Sequence, residues 1–280
     1  VEVFDEARLE EMGCGGILGV NRGSAESPRM IRLDWRPSGA PVRRLAMVGK
    51  GIMYDSGGIS LKPSDPVHAQ MKNDMAGAAA ILAAVAGLAE TKAPVAVTAF
   101  LMCTDNMPSG TAIGLGDVLH MRDGTTVEVM DTDAEGRLAM ADALVLAAEE
   151  KPDAILDVAT LTGSVARALA PDIAGIVGND EGLVERVRAA GRASGELVWP
   201  LPLHEPYRRM LKSGTADMVN CAPVGRPDGI LSSLFLAHFA GDTPWAHVDI
   251  AGVAWNEEDT GVHVSGCAGF GTRLLLAFVG

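Results

Sequence analysis

Cysteine is scarce in this 280-residue sequence: Cys14, Cys103, Cys221 and Cys267 lie far apart, with no CxxC and no histidine pair beside any of them. That spacing excludes a zinc ribbon and a disulfide framework and makes a reducing cytoplasm the expected setting. Basic residues are also in short supply, 23 Lys and Arg against 36 Asp and Glu, for a net charge of −13. The clustered cations that phosphate binding draws on are missing, so nucleic acid is not expected as a partner. No run of about 18 apolar residues marks a membrane span. The stretch MAGAAAILAAVAGLA, residues 75–89, reads instead as a close-packed buried helix.

Other signatures are lacking too. The six histidines, His68, His120, His204, His238, His247 and His263, form no HExxH, and Ser56 and Ser60 sit in no GxSxG elbow. Zincin and serine-hydrolase chemistry are thereby set aside. His247, within WAHVDIAG, is expected as a hydrogen-bonded core residue. The opening VEVFDEARLEEMGCGG has no initiator Met, no basic n-region and no cleavage signature, so it is not read as a signal peptide. It reads as a strand and a helix already in progress, and the sequence is expected to belong to a longer protein.

What is present is an alternation. GILGV, RMIRLDW, RRLAMVG, VAVTAFLM, TVEVMD, DAILDVATLTG, IAGIVGN and WAHVDIAG read as strands, several apolar almost throughout, as strands covered on both faces should be. Helical patterns fall at about 5–12, 75–90, 136–150, 182–194, 205–212, 229–240 and 265–279. This predicts an α/β fold, a three-layer α/β/α sandwich around a mixed, mostly parallel sheet. Without an internal repeat, low-complexity linker or charge block, one domain over residues 1–280 is the economical reading. In such sheets ligands collect beyond the carboxyl ends of strands, which directs attention to the loops after AMVG, VEVM and DVAT.

Those loops hold the unusual residues. DTDAEGRLAMADAL, residues 131–144, crowds Asp131, Asp133, Glu135 and Arg137 at the mouth of a helix. A capping box through Thr132 and Glu135, with the helix dipole, accounts for one or two acids; the others need a cation facing them. KGIMYDSGGISLKPSD offers Lys50, Asp55 and Lys62 among glycines that allow close backbone approach. It lacks the GxxxxGK[ST] spacing of a phosphate loop. Asp74, just before the small-residue helix, suits an N-cap, a role compatible with ligation. Asp133 and Glu135, two apart, would point to one side of an extended segment. If Asp55, Asp74, Asp133 and Glu135 converge, their mutual repulsion calls for neutralising cations, and two divalent metals would serve. Oxygen-rich ligation favours Mn²⁺ or Mg²⁺, with Zn²⁺ or Co²⁺ open if a nitrogen joins; Lys50, as a neutral amine, could be that nitrogen.

In order and spacing, VGKGIMYDSGGISLK, MKNDMAGAAA, DTDAEGRLAMADAL, DVATLTGS and WAHVDIAG resemble the leucyl aminopeptidase family of dinuclear metallopeptidases, over essentially the whole chain. The resemblance is to the family's catalytic domain, without its N-terminal accessory domain. It implies removal of N-terminal residues from peptide substrates, with a leucine-type preference, by a cytoplasmic homo-hexamer of two stacked trimers. It further implies that Asp55 and Glu135 bridge two metals, that Lys50 and Asp74 complete the tighter site and that Asp133 completes the more exchangeable one. Lys62 would be the electrophile at the scissile carbonyl. Arg137 would hold a bicarbonate ion, the general base toward a metal-bridging water. The substrate's α-amine would meet one metal and Asp74. Met71, Thr160, Ala251 and the loop around Ala254 would shape the side-chain pocket, and the backbone of Thr160, Leu161 and Gly163 would hold the peptide extended. Gly163 is equally a routine helix-start residue.

Two departures stand out. Asp131 replaces the family's usual Asn, adding a fifth acid beside the metals and near the side-chain pocket, which is expected to weaken the preference for leucine in favour of polar or basic N-terminal residues, or to shift which metal is held; Tyr54 stands where Phe is common. Two other classes are weighed against the peptidase. A dinuclear phosphohydrolase usually recruits histidines, and none is suitably placed. A non-catalytic DNA-binding or scaffold role is the other: the missing basic patch counts against DNA, and chelator-sensitive hydrolysis of a leucine anilide separates enzyme from scaffold.

Overall fold

The computed structural model describes residues 1–222, 225–262 and 264–280; His263 lies outside them. Period-two alternation in the Arg43–Asp55 strand sends Ala46 and Val48 into one buried cluster and Leu45 and Met47 into another. Val95–Asn106 does the same, with Phe100 and Met102 on one side and Val97, Ala99 and Leu101 on the other. Apolar side chains on both faces require covering layers on both sides. Helices Gly15–Asn21, Glu135–Glu149 and Asp228–Ala240 cover the first face, and Ala76–Thr91, Glu181–Ser194 and Thr272–Val279 the second. The three-layer α/β/α sandwich expected from the sequence is what the chain forms.

Among the described residues the main sheet runs Glu2–Phe4, Arg29–Trp35, Val95–Asn106, Arg43–Asp55, Ala154–Ala159, Trp245–Asp249, Ala174–Gly178, Val198–Pro200. The four central strands, Val95–Asn106 to Trp245–Asp249, are mutually parallel, and antiparallel pairings flank them. Their carboxyl ends therefore open on one side, which is where the site forms. A smaller sheet of Met218–Val219, Thr126–Glu128 and Val118–His120 stands beside it.

The segment Met71–Thr91 is long and apolar enough, by length and hydropathy, to cross a membrane. Its helix Ala76–Thr91 instead lies against the sheet, so close that a Cβ on Gly77 would sit 2.0 Å from the Val158 carbonyl oxygen. The expected close-packed helix is realised.

Several local expectations are overturned. GILGV is not a strand but part of the helix Gly15–Asn21. A short apolar run is ambiguous by periodicity, and the tertiary contact decides: the buried Asp142 carboxylate accepts from Gly16 N at 2.8 Å and Ile17 N at 3.2 Å at the helix start. The capping box does not form, because Thr132 Oγ1 donates to the Gly57 carbonyl and accepts from Ser60 N, and Ala134 stands at the N-cap. Asp74 is not an N-cap either; Met75 precedes the helix, and Asp74 turns to Thr160. Residues 131–134 make a turn, so Asp133 and Glu135 do not share one face of an extended segment: Asp133 is 35% exposed and Glu135 1%. The last helix starts only at Thr272, after Gly266, Gly269 and Gly271 at positive φ. Residues 205–211 form a 3₁₀ helix. Gly163 does start a helix, as its alternative reading allowed: Gly163–Leu169, absent from the expected helical segments, is capped by Thr162 Oγ1, which accepts from Val165 N.

Candidate metal centre

The Arg43–Asp55 strand delivers Lys50 and Asp55 to the carboxyl end of the sheet, Thr160 follows Ala154–Ala159, and Ala251 follows Trp245–Asp249. Asp74 enters from the turn after Met71–Asn73, and Glu135 is the first residue of Glu135–Glu149. Three acids far apart in sequence thus meet. Asp55, Asp74 and Glu135 are all buried, and each offers an oxygen within 4.8 Å of the others.

Two lysines thread this cluster. Lys50 Nζ lies 2.8 Å from Asp74 Oδ2 and 2.8 Å from Glu135 Oε1, and donates to the Thr160 carbonyl at 2.9 Å. Lys62 Nζ lies 2.7 Å from Asp55 Oδ2 and 2.5 Å from Asp133 Oδ1. Burial opposes the charge on both ammonium groups, but the carboxylates outweigh it and both pKa values are raised. Burial pushes the Asp74 carboxyl well above its ordinary range, only partly offset by Lys50. Burial and the neighbouring Asp55 raise Glu135 and push Asp133 up to about 7. Two ammonium groups would not balance four ionised carboxyls, which, with burial, is why Asp74, Asp133 and Glu135 resist ionisation here.

The donor set fits divalent cations. Glu135 Oε2 is buried with no hydrogen-bond partner among the described residues, and Asp74 Oδ2 has an ion-pair contact with Lys50 but no well-directed hydrogen bond. Unmatched carboxylate oxygens are costly inside a protein unless a cation answers them. Oxygen-only donors suit hard ions such as Mn²⁺ or Mg²⁺.

Two backbone features make room for this arrangement. Gly57 and Gly58 adopt φ of +89° and +64°, and a Cβ on Gly57 would meet Asp133 Oδ1 at 2.9 Å. A Cβ on Gly136 would lie 2.5 Å from Lys50 Cε and 2.8 Å from Nζ, so the lysine passes where only glycine allows it.

Supporting residues hold these side chains in place, and the sequence reading missed most of them. Asn106 Nδ2 donates to Asp55 Oδ1 at 2.8 Å and to the Thr132 carbonyl at 2.9 Å, tying two motif loops together. Thr160 Oγ1 donates to Asp74 Oδ1 at 2.7 Å. Asp249 accepts from Leu161 N, Ala251 N and Thr162 Oγ1, fixing the loop that carries Thr160. Asn220 Nδ2 donates to the Asp131 carbonyl and its Oδ1 accepts from Met130 N. The only sequence signal for these residues was position, at strand ends or after glycine-rich turns. His247 is a core residue, as expected: buried, 2.5 Å from Asp157 Oδ1, with burial opposing its charge but Asp157 and Asp249 raising its pKa to about 9.

Arg137 is buried, donating from Nη1 to the Asn220 carbonyl and from Nη2 to Asp228 Oδ1, each at 3.0 Å. Its Nε has no partner among the described residues. A cavity of about 340 Å³ opens over the cluster, lined by Lys50, Asp55, Lys62, Met71, Asp74, Asp131, Asp133, Arg137, Thr160, Leu161, Gly163 and Ala251. Glu135 sits just beneath. Ala254 is fully buried and does not line it. Asp131 reaches the cavity while its Oδ1 accepts from Asp133 N.

Comparison with known proteins agrees with this geometry. A family model described as "Cytosol aminopeptidase family, catalytic domain" matches residues 1–276. The chain is 52% identical over 264 residues to a probable cytosol aminopeptidase of Leifsonia xyli subsp. xyli, covering 91% of this chain and 53% of that protein. It is 49% identical to one of Clavibacter michiganensis subsp. michiganensis, covering 99% and 57%. The chain thus spans little more than half the length of these relatives. Among solved structures, "Bottromycin maturation enzyme BotP in complex with Mn" superposes with a TM-score of 0.94 at 42% identity, over 99% of this chain and 61% of that one.

Proposed function

Because the chain belongs to the cytosol aminopeptidase family, matching its catalytic domain, we propose that it is a metal-dependent aminopeptidase, releasing the N-terminal residue of peptides. The observation that carries this reading is the convergence of buried Asp55, Asp74 and Glu135 from three separate loops, with an unmatched oxygen on Glu135. We read residues 1–280 as a single catalytic domain.

Asp55, Asp74, Asp133 and Glu135 would hold two divalent ions, Mn²⁺ or Zn²⁺ with Mg²⁺ or Co²⁺ as alternatives, and Lys50 would join them once its ammonium gives up a proton. The manganese complex of the similar BotP supports Mn²⁺. When bound, the metals supply electrophilic polarisation and an activated water, and a bicarbonate ion at Arg137 supplies a general base.

The chain's own groups do the rest. Lys62, kept protonated by Asp55 and Asp133, donates to the scissile carbonyl oxygen and to the negative charge that develops there. Asp74, oriented by Thr160 Oγ1, accepts from the substrate's free α-amine, which selects N-terminal residues. The backbone of Thr160, Leu161 and Gly163 holds the peptide extended. Met71 and Ala251 bound the side-chain pocket, leucine-type in the family, with Asp131 shifting it toward polar or basic residues. Arg137 is pinned by Asn220 and Asp228, and its unmatched Nε supports a small anion there, in competition with Asp228. By family resemblance we infer a cytoplasmic homo-hexamer of two trimers, a location that the relatives' name, cytosol aminopeptidase, supports.

Hydrolysis of leucine p-nitroanilide by the Mn²⁺-loaded protein, abolished by a chelator and restored by metal, is the expected result. A loaded protein inert toward anilide and dipeptides alike would overturn the reading.

A further inference from the structure

A second cavity, of about 620 Å³, adjoins the metal cavity and shares Asp131, Cys221 and Asp228 with it. Its volume is in the range that encloses a drug-sized ligand. Its charges are unusual for so acidic a chain. Arg167, Lys212 and Arg226 line it, and none makes an ion pair or side-chain hydrogen bond among the described residues. The acids on the same wall are already engaged: Glu128 with Ser213 Oγ, Asp228 with Arg137 and Asp131 with Asp133 N. The Arg167 guanidinium stands at the junction, since a Cβ on Gly163, which lines the metal cavity, would lie 3.2 Å from its Nη1.

From this we infer that the adjoining cavity is an anion-accepting subsite in which Arg167, Lys212 and Arg226 take the C-terminal carboxylate of a short peptide whose N-terminus lies at the metal cluster. The inference rests on the aminopeptidase reading and deepens it: the favoured substrates are di- and tripeptides with a free carboxylate. Arg167, Lys212 and Arg226 offer donors without a partner among the described residues, whereas the acids beside them already accept hydrogen bonds, so a peptide's negative end has a counter-charge to meet here. Guanidinium groups suit a carboxylate through paired N–H donors.

The test compares Leu-Gly-Gly with its C-terminal amide, on the metal-loaded protein at low salt. Hydrogen bonds to a charged group predict kcat/KM for the acid about tenfold or more above that for the amide, and a ratio that shrinks as salt screens it. The ratio should fall toward one in the triple variant Arg167→Gln, Lys212→Gln, Arg226→Gln, all exposed positions whose replacement leaves the core untouched. A wild-type ratio near one, or a ratio retained in the triple variant, overturns the inference. Two further measurements separate its failure from that of the parent reading. Leucine p-nitroanilide carries no carboxylate, so its hydrolysis reports the aminopeptidase activity alone. Binding of N-acetyl-Gly-Gly and its amide, followed by NMR titration, needs no turnover: tighter binding of the acid supports the subsite, and equal binding counts against it even if the anilide is never cleaved.

Discussion

Gly136→Ala puts the packing around Lys50 to a quantitative test. An ideal Cβ there would stand 2.5 Å from Lys50 Cε, where unstrained carbon atoms need about 3.5–4.0 Å, so something must move by roughly 1 Å. Lysine tips usually swing aside, but this one is 4% exposed and held by Asp74, Glu135 and the Thr160 carbonyl. The helix cannot easily retreat either, since Leu138, Ala139 and Met140 are fully buried. Overpacking of this kind costs about 1–3 kcal/mol, against a gain of up to about 1 kcal/mol for alanine over glycine in a helix. The net loss is ~1–2 kcal/mol, a fall in Tm of roughly 2–8 °C for a domain of this size. Displacing the cluster by ~1 Å should also cost on the order of 100-fold in kcat. Thermal unfolding by circular dichroism and anilide hydrolysis on the same samples give both readouts. In a Lys50→Ala background the clash is gone, so Gly136→Ala should become neutral or stabilising, a change of sign that a double-mutant cycle records. A single variant melting at or above wild type with full activity would refute the argument.

Three further outcomes follow from the same geometry. Lys50→Met leaves Asp74 and Glu135 buried without their cation and should destabilise the protein by about 3–5 kcal/mol, more than Lys62→Met, whose lysine is 17% exposed; urea unfolding ranks the two. Asp142, fully buried, has its pKa pushed by burial to about 7 despite accepting from Gly16, Ile17 and Arg122 backbone N–H groups. Its folded pKa exceeds its unfolded value near 3.8, so the unfolded state releases its proton first, and stability from this group is lost as pH rises from about 4 to 7. Relative to wild type, Asp142→Asn should therefore gain up to ~4 kcal/mol between pH 4 and pH 8, and a parallel pair of pH–stability curves would contradict that. Asp131→Asn should raise kcat/KM for leucine substrates several-fold relative to lysine and arginine ones, whereas an unchanged order of preference would remove Asp131 from the pocket's specificity.

Strands such as Arg43–Asp55 and Ala154–Ala159 could be read from the sequence because both faces are buried, and their apolar runs admit few alternatives. The convergence of Asp55, Asp74 and Glu135 with the two lysines could be anticipated because these side chains sit in short motifs: Lys50 with Asp55, Asp74, and Asp133 with Glu135. What escaped depends on contacts between distant segments. The GILGV run carries no local preference that separates strand from helix; Asp142, more than a hundred residues on, supplies the acceptor that starts the helix. Thr132 and Asp74 look like caps locally, yet each is drawn to a partner on another loop, Gly57 and Thr160. Asn106, Asn220 and Asp249 have no motif of their own, and their roles exist only once the loops meet.

The most direct test of the central claim is anomalous diffraction from Mn²⁺-loaded crystals, which counts the ions and identifies their ligands in one experiment. The account predicts two ions per chain held by Asp55, Asp74, Asp133 and Glu135, with Lys50 contributing its nitrogen. Manganese bound elsewhere, or no ion within reach of these carboxylates in a fully loaded crystal, would contradict it.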